Sequence, residues 1–265
     1  MIKLEDFFEN IDKDKLKQFG HPLEVFLEDT KTYHDILEIS MKGLSMTQAM
    51  PKAIDAIIKA TGDSEELQNS KENISRIASV AKNEIENGFP FLHNQATLIL
   101  YSQLEGAVKR LIINFFGIEG SLKYVKELDK IKITISEYYN LDEIEKLEYL
   151  FQQYEKSISI GMQYGVSRFE TLLNPIGFAG PVSESIKKDI FELSQIRNVI
   201  IHRGGIIDKY FANSCPWLDN KIGDKIKVSS LQYQKYFNSV MDYVITLIIR
   251  IGEKRGVDME EFKQN

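Results

Sequence analysis

SESIKKDIFELSQIRNVIIHRGG, residues 183–205, combines an apolar helical period with a polar end. Ile186, Ile190, Leu193, Ile196 and Ile200 recur at steps of three and four, the period of a helix with one buried face. Ser183 suits an N-cap, and Gly204-Gly205 supply the left-handed conformation that ends a helix. The spacing therefore predicts a helix over 182–203 with a continuous apolar stripe. Its C-terminal end departs from that simplicity, because Arg197, Asn198 and His202 follow one another there. Asn198 and His202 are one turn apart and share a face. Arg197 lies five residues before His202, which rotates it about 140° around an ideal helix. One straight helix does not bring that guanidinium and that imidazole together. Either the helix unwinds near the glycines, or another segment or a second subunit completes the site.

The same period recurs on both sides of this stretch. Over 91–116, Ala96, Leu100, Leu104, Ala107, Leu111 and Phe115 form one stripe, and Tyr101, Val108 and Ile112 a second. That helix should be largely buried. A last helix is expected over 231–255, with Tyr236, Val240, Tyr243, Val244, Leu247 and Ile251 inward. A long loop, Ile206 to about Ser229, separates it from residues 183–205. Inside the loop, Lys225-Ile226-Lys227-Val228 alternates like a short strand, as does Ile131-Lys132-Ile133-Thr134-Ile135 further upstream. Two more helices are expected within 120–157. Residues 1–88 are polar with a thin apolar stripe. They read as an N-terminal helical extension of several helices, jointed at Gly20-His21-Pro22, Pro51 and Gly62, restarted by Ser64-Glu65-Glu66 and stopped at Gly88. The expectation is all-α: a helical bundle over 89–265 with an N-terminal helical extension over 1–88 and a long loop carrying a short β-hairpin.

Composition narrows the function classes. The net charge of −6 excludes nucleic-acid binding by bulk attraction. The charge is uneven, with 181–265 carrying +2 and the rest −8, so a polyanion finds its more suitable surface in the C-terminal third. The single cysteine, Cys215, forbids an internal disulfide and fits a reducing compartment. The four histidines are far apart, which points against a zinc site. The acidic start MIKLEDFFENID has no apolar signal core, and the apolar run Tyr243–Ile249 ends at Arg250, far short of the ~20 residues of a membrane span. A cytoplasmic protein without a membrane partner is expected, with no cofactor and no metal.

The residue types at 197–202 suit phosphodiester cleavage. RNA is cut when its own 2′-hydroxyl attacks the adjacent phosphate, and histidine is the side chain whose ordinary pKa of ~6.5 lets it take or give that proton near neutrality. The charge that builds on phosphate needs donors already in place. Arginine offers a planar fork, and asparagine an amide. The simpler reading of the same residues is a surface Arg-Asn pair and a histidine that favours the negative end of the helix.

Arg197-Asn198-Val-Ile-Ile-His202 resembles the R-x4–6-H motif of HEPN domains, where a polar residue usually follows the arginine. His202-Arg-Gly-Gly-Ile-Ile-Asp208 and Gly223-Asp-Lys-Ile-Lys-Val resemble the stand-alone, defence-type subgroup (the RiboL-PSP-HEPN kind). Tyr101-Ser-Gln-Leu-Glu105-Gly-Ala-Val-Lys-Arg-Leu111 resembles the first core helix of that domain, which often carries an acid. The resemblance covers roughly residues 90–255. It implies metal-independent RNA cleavage by a homodimer whose two motifs face each other, in a toxin or antiviral defence protein with a protein antitoxin or regulatory partner. On that carry-over His202 is the general base or acid, Arg197 stabilises the phosphate and Asn198 orients it. The rival expectation is the same fold without cleavage, binding RNA, a nucleotide or a protein.

Other residues carry weaker expectations. Glu105 either supports Arg197 or His202, or forms an i,i+4 pair with Lys109 worth ~0.2–0.5 kcal/mol. Asp208 is a support residue that fixes the loop. Arg203, Lys187, Lys188, Lys209 and Lys221 are placed to meet RNA phosphates, although exposed lysines are usually just solvated. Tyr138, Tyr139, Tyr210, Phe211 and Trp217 suit base stacking as well as ordinary packing.

Overall fold

A computed structural model describes residues 8, 11, 13–62, 65–158 and 163–260. The structure is all-α, and no β-strand forms among these residues. In chain order the helices are α1 (Lys13–Thr61), α2 (Glu65–Glu86), α3 (Pro90–Phe116), α4 (Ile135–Tyr139), α5 (Glu143–Ser157), α6 (Val166–Leu173), α7 (Glu184–Arg203), α8 (Lys209–Ser214) and α9 (Ser230–Lys254).

α3, α7 and α9 pack on one another, and the first half of α1 closes the group on a further side. The reason is the apolar period. Leu104, Leu111 and Phe115 of α3, Ile190, Leu193 and Ile196 of α7, and Tyr236, Val240 and Tyr243 of α9 are all buried. Leu16, Phe19, Leu23 and Phe26 of α1 join the same core. Each such aliphatic or aromatic side chain contributes roughly 1.5–3 kcal/mol by leaving water. α5 packs on α3, and α6 lies against both α3 and α7.

The N-terminal expectation needs correction. Gly20-His21-Pro22 and Pro51 are not joints, because α1 runs unbroken for 49 residues through both prolines. Pro22 is buried next to Leu23, and a Cβ on Gly20 would rest 3.7 Å from Ile251 of α9. Packing of this part of the helix overrides the local breakers. Ser64 and the side chains of Glu65 and Glu66 lie outside the described residues, as does most of the acidic N-terminal stretch. Beyond Met41, α1 leaves the core and pairs with α2, where Ile54, Ala78 and Ala81 are buried. Met46, Met50 and Ile57 on this outer part of α1 are exposed. Gly88 does follow the end of α2, and Phe89 after it is left-handed (φ 59°). The Glu84 carboxylate accepts from the backbone N–H of Phe91 and Leu92, capping α3 from another helix.

Neither alternating segment forms a strand. Ile131–Thr134 follows a short 3₁₀ turn, and α4 begins at Ile135. Ile133 and Ile135 are exposed, so that alternation has no face to bury. Residues 225–228 meet Gly205–Ile207 through a single antiparallel bridge, Ile206 with Lys225. Their outer edge is satisfied by a side chain instead of a strand: Asn94 of α3 donates to Ile226 O and accepts from Val228 N, each at 3.0 Å. The expected β-hairpin is thus reduced to one bridge. The long loop also contains α8 and is fixed by the buried Ile207, Phe211, Cys215, Ile226 and Val228.

Cys215 is buried, and burial pushes its thiol up to about 12, with Glu192 adding to the shift. The native thiol is therefore expected to ignore Ellman's reagent at pH 8 and to react in full on denaturation. Stoichiometric reaction of the native protein would show that this loop does not stay closed.

No helix among the described residues is long and apolar enough to cross a membrane.

Candidate functional site

α7 stays regular to its end. Its N-terminus is capped by Ser183, which accepts from Ile186 N, and Gly204 (φ 60°) closes the other end in the left-handed region. The helix does not unwind near the glycines, so Arg197 and His202 keep the angular separation an ideal helix gives them. Their surroundings differ accordingly.

Asn198 and His202 open onto one cavity of about 590 Å³. Its other walls are Tyr164, Gln195, Arg203, Asp208 and Tyr210, with Val199 and Phe211 at the base. His202 and Tyr210 are exposed there, while Gln195 is buried. Asp208 caps α8 by accepting from Phe211 N at 2.8 Å, and its second oxygen lies 3.0 Å from Arg203 Nε. Asp208 thereby fixes the turn that carries Tyr210 and ties Arg203 to the cavity rim.

Arg197 does not line this cavity but reaches from its edge toward α3. Its Nη1 donates to Asn198 Oδ1 at 3.2 Å, and its Nη2 stands 3.9 Å from Glu105 Oε2 of α3. Its Nε is buried with no hydrogen-bond partner among the described residues. Glu105 instead takes a 2.6 Å hydrogen bond from Arg168 Nη1 of α6, and Arg168 Nη2 donates to Glu155 of α5 at 2.6 Å. Burial opposes the charge of Arg168, yet the bond to Glu155 and the charges of both carboxylates raise its pKa overall. Tyr101 lies beside this group. Burial pushes its hydroxyl up to about 12, Glu105 adds to the shift, and Arg168 and Arg197 oppose it. Lys109 lies over the Phe151 ring, 5.6 Å from its centre.

A second polar cluster lies deeper on α7. Glu192 is 1% exposed and accepts from Trp217 Nε1, Lys235 Nζ and Tyr236 Oη. Lys235 also reaches Asp189 at 3.2 Å, and Ser239 donates to Asp189 at 2.7 Å. These bonds tie the loop and α9 to α7, one turn below the cavity.

Lys187 pairs with Glu184 at 2.7 Å, and Lys188 lies 4.8 Å above the Trp217 ring. Lys209 is exposed beside the cavity wall, and Lys221 lines a separate polar depression with Lys225 and Lys227. Of the aromatic residues, Tyr210 is in the cavity, Phe211 is buried, Trp217 is held by Glu192, and Tyr138 packs on Tyr149 and Tyr139. The structure brings Asn198, His202, Arg203 and Asp208 together around the cavity, while Arg197, bonded to Asn198, stands between that group and Glu105. Tyr164, Gln195, Arg168, Glu155 and Glu192 carry no sequence signal for a site. Only the buried position of Glu192, one turn before Ile196 of the stripe, hints at a held carboxylate.

Among the described residues no three His, Cys, Asp or Glu side chains are grouped as metal ligands would be. Comparison with known proteins found no matching family model, no matching curated protein and no matching solved structure.

Proposed function

We propose that the chain is a HEPN-type endoribonuclease that cleaves RNA by 2′-hydroxyl attack without a metal ion and acts as a cytoplasmic homodimer. The observation that carries this reading is the shared cavity: Asn198 and His202 lie on one face of a regular helix, with the cation of Arg203 and the ring of Tyr210 on the same walls. In the step proposed, the 2′-oxygen bonds to phosphorus as its proton leaves and the bond to the 5′-oxygen breaks as that oxygen gains a proton. His202 gives or takes one of these protons. Asn198 orients the phosphate, and Arg197 offers the fork for its growing charge. Within one copy Arg197 bonds Asn198 but does not itself line the cavity, so a facing second copy would bring a further Arg197 to each histidine. A toxin or antiviral role with a protein antitoxin or regulatory partner fits this chemistry.

The position of Arg197 also favours a second reading, a non-catalytic module of the same kind that holds RNA, a nucleotide or a protein partner. Incubating the purified protein with total RNA in EDTA, beside His202→Ala, separates the two. Cleavage that survives chelation and disappears in the variant supports the nuclease. Binding without cleavage by the parent supports the module. Loss of dimerisation in Arg197→Ala, with neither cleavage nor binding by the parent, overturns both.

A further inference from the structure

Two arginines and two glutamates meet where α3, α5, α6 and α7 converge, and their distances are unequal. Arg168 is engaged by Glu105 and by Glu155, at 2.6 Å each. Arg197 stands 3.9 Å from Glu105, beyond hydrogen-bond range; its Nη1 donates to Asn198 at 3.2 Å, and its buried Nε has no acceptor among the described residues. Glu105 is therefore bound to one arginine while lying beside another.

We infer that Arg168 is a positioning residue that holds Glu105 and offsets its charge, so that the Arg197 guanidinium keeps N–H groups for an anionic ligand. On the function proposed above, on which this inference rests, that ligand is a phosphodiester. A carboxylate bound bidentately would occupy the same fork a phosphate uses. With Arg168 present, the four side chains sum to zero charge. Without it they sum to −1, Glu105 is released toward Arg197, and a phosphate meets a filled fork and a repelling field. Glu155 draws Arg168 from the far side and keeps it at Glu105. Removing both Arg168 and Glu105 returns the sum to zero and leaves Arg197 with Asn198 as its bonded partner and no carboxylate beside it. The inference therefore requires a loss of Arg197 reactivity in one variant to be repaired by the second substitution, whereas a merely structural ion pair would leave Arg197 reactivity unmoved.

The test compares parent, Arg168→Gln, Glu105→Gln and the double variant in two measurements. One is the rate at which phenylglyoxal modifies Arg197, read by peptide mass spectrometry. The other is the affinity for a short single-stranded RNA in EDTA, read by fluorescence anisotropy. Arg168→Gln should slow the modification of Arg197 and weaken RNA binding, each about tenfold, the scale of a charge-assisted hydrogen bond. The double variant should return both to within about threefold of the parent, and Glu105→Gln alone should speed the modification of Arg197. Unchanged Arg197 reactivity in Arg168→Gln, or a double variant no better than the single, overturns the inference. If Arg168→Gln loses its helical circular dichroism, Glu105→Gln decides: modification no faster than in the parent overturns it. If no variant nor the parent binds or cleaves RNA, the proposed function fails, while the phenylglyoxal rates still judge the role of Arg168.

Discussion

Replacing Glu192 with alanine is expected to cost roughly 3 kcal/mol of stability, a fall of roughly 6–12 °C in the thermal midpoint. The carboxylate is buried, and three donors converge on it: Trp217 Nε1, Lys235 Nζ and Tyr236 Oη. Truncation leaves the buried Tyr236 hydroxyl without its acceptor, which costs about 1–3 kcal/mol, and adds a void between α7 and α9. Lys235 keeps Asp189, and Trp217 is half-exposed, so the loss stays at the lower end of what breaking a buried ion pair usually costs. Glu192→Gln keeps the shape and one acceptor and should lose only about 1 kcal/mol. Thermal unfolding followed by circular dichroism at pH 7 measures both. An alanine variant within about 1 kcal/mol of the parent would mean that the cluster does not hold the loop to the bundle.

The second large effect is on rate. His202→Ala is expected to slow RNA cleavage ~10²–10⁴-fold, the range general acid–base help usually supplies, in single-turnover assays with EDTA present. Stability should hardly change. His202 is exposed in the last turn of α7, where a cationic form gains ~0.3–1 kcal/mol from the helix dipole at most. The contrast with Glu192→Ala is informative: one variant should lose activity and keep its melting temperature, and the other should lose stability first. Equal cleavage by parent and His202→Ala would remove the imidazole from the chemistry.

The helices that build the bundle were legible because burial imposes their period. The apolar stripes of α3, α7 and α9 locate those helices to within two residues of their ends. The continuity of α1 was not legible, since Gly20, Pro22 and Pro51 are local breakers and only neighbouring helices reveal why the chain ignores the first two. The alternation at 225–228 reported real burial of Ile226 and Val228. It misassigned the partner, because an amide of Asn94, more than 130 residues away, is invisible to a short window. The shared face of Asn198 and His202 follows from their spacing. The carboxylate beside Arg197 does not, because Glu105 of α3, itself held by Arg168 of α6, comes near it only through tertiary packing.

The outer hairpin of α1 and α2 has a consequence for how the molecule opens. Its interior is chiefly Ile54, Ala78 and Ala81, too little apolar area to lock two long helices against fluctuation. It should behave as a separate cooperative unit. Amides near 45–61 and 70–86 are expected to trade hydrogen for deuterium on the order of 100-fold faster than those of α3 and α9, and to do so while the bundle around His202 stays closed.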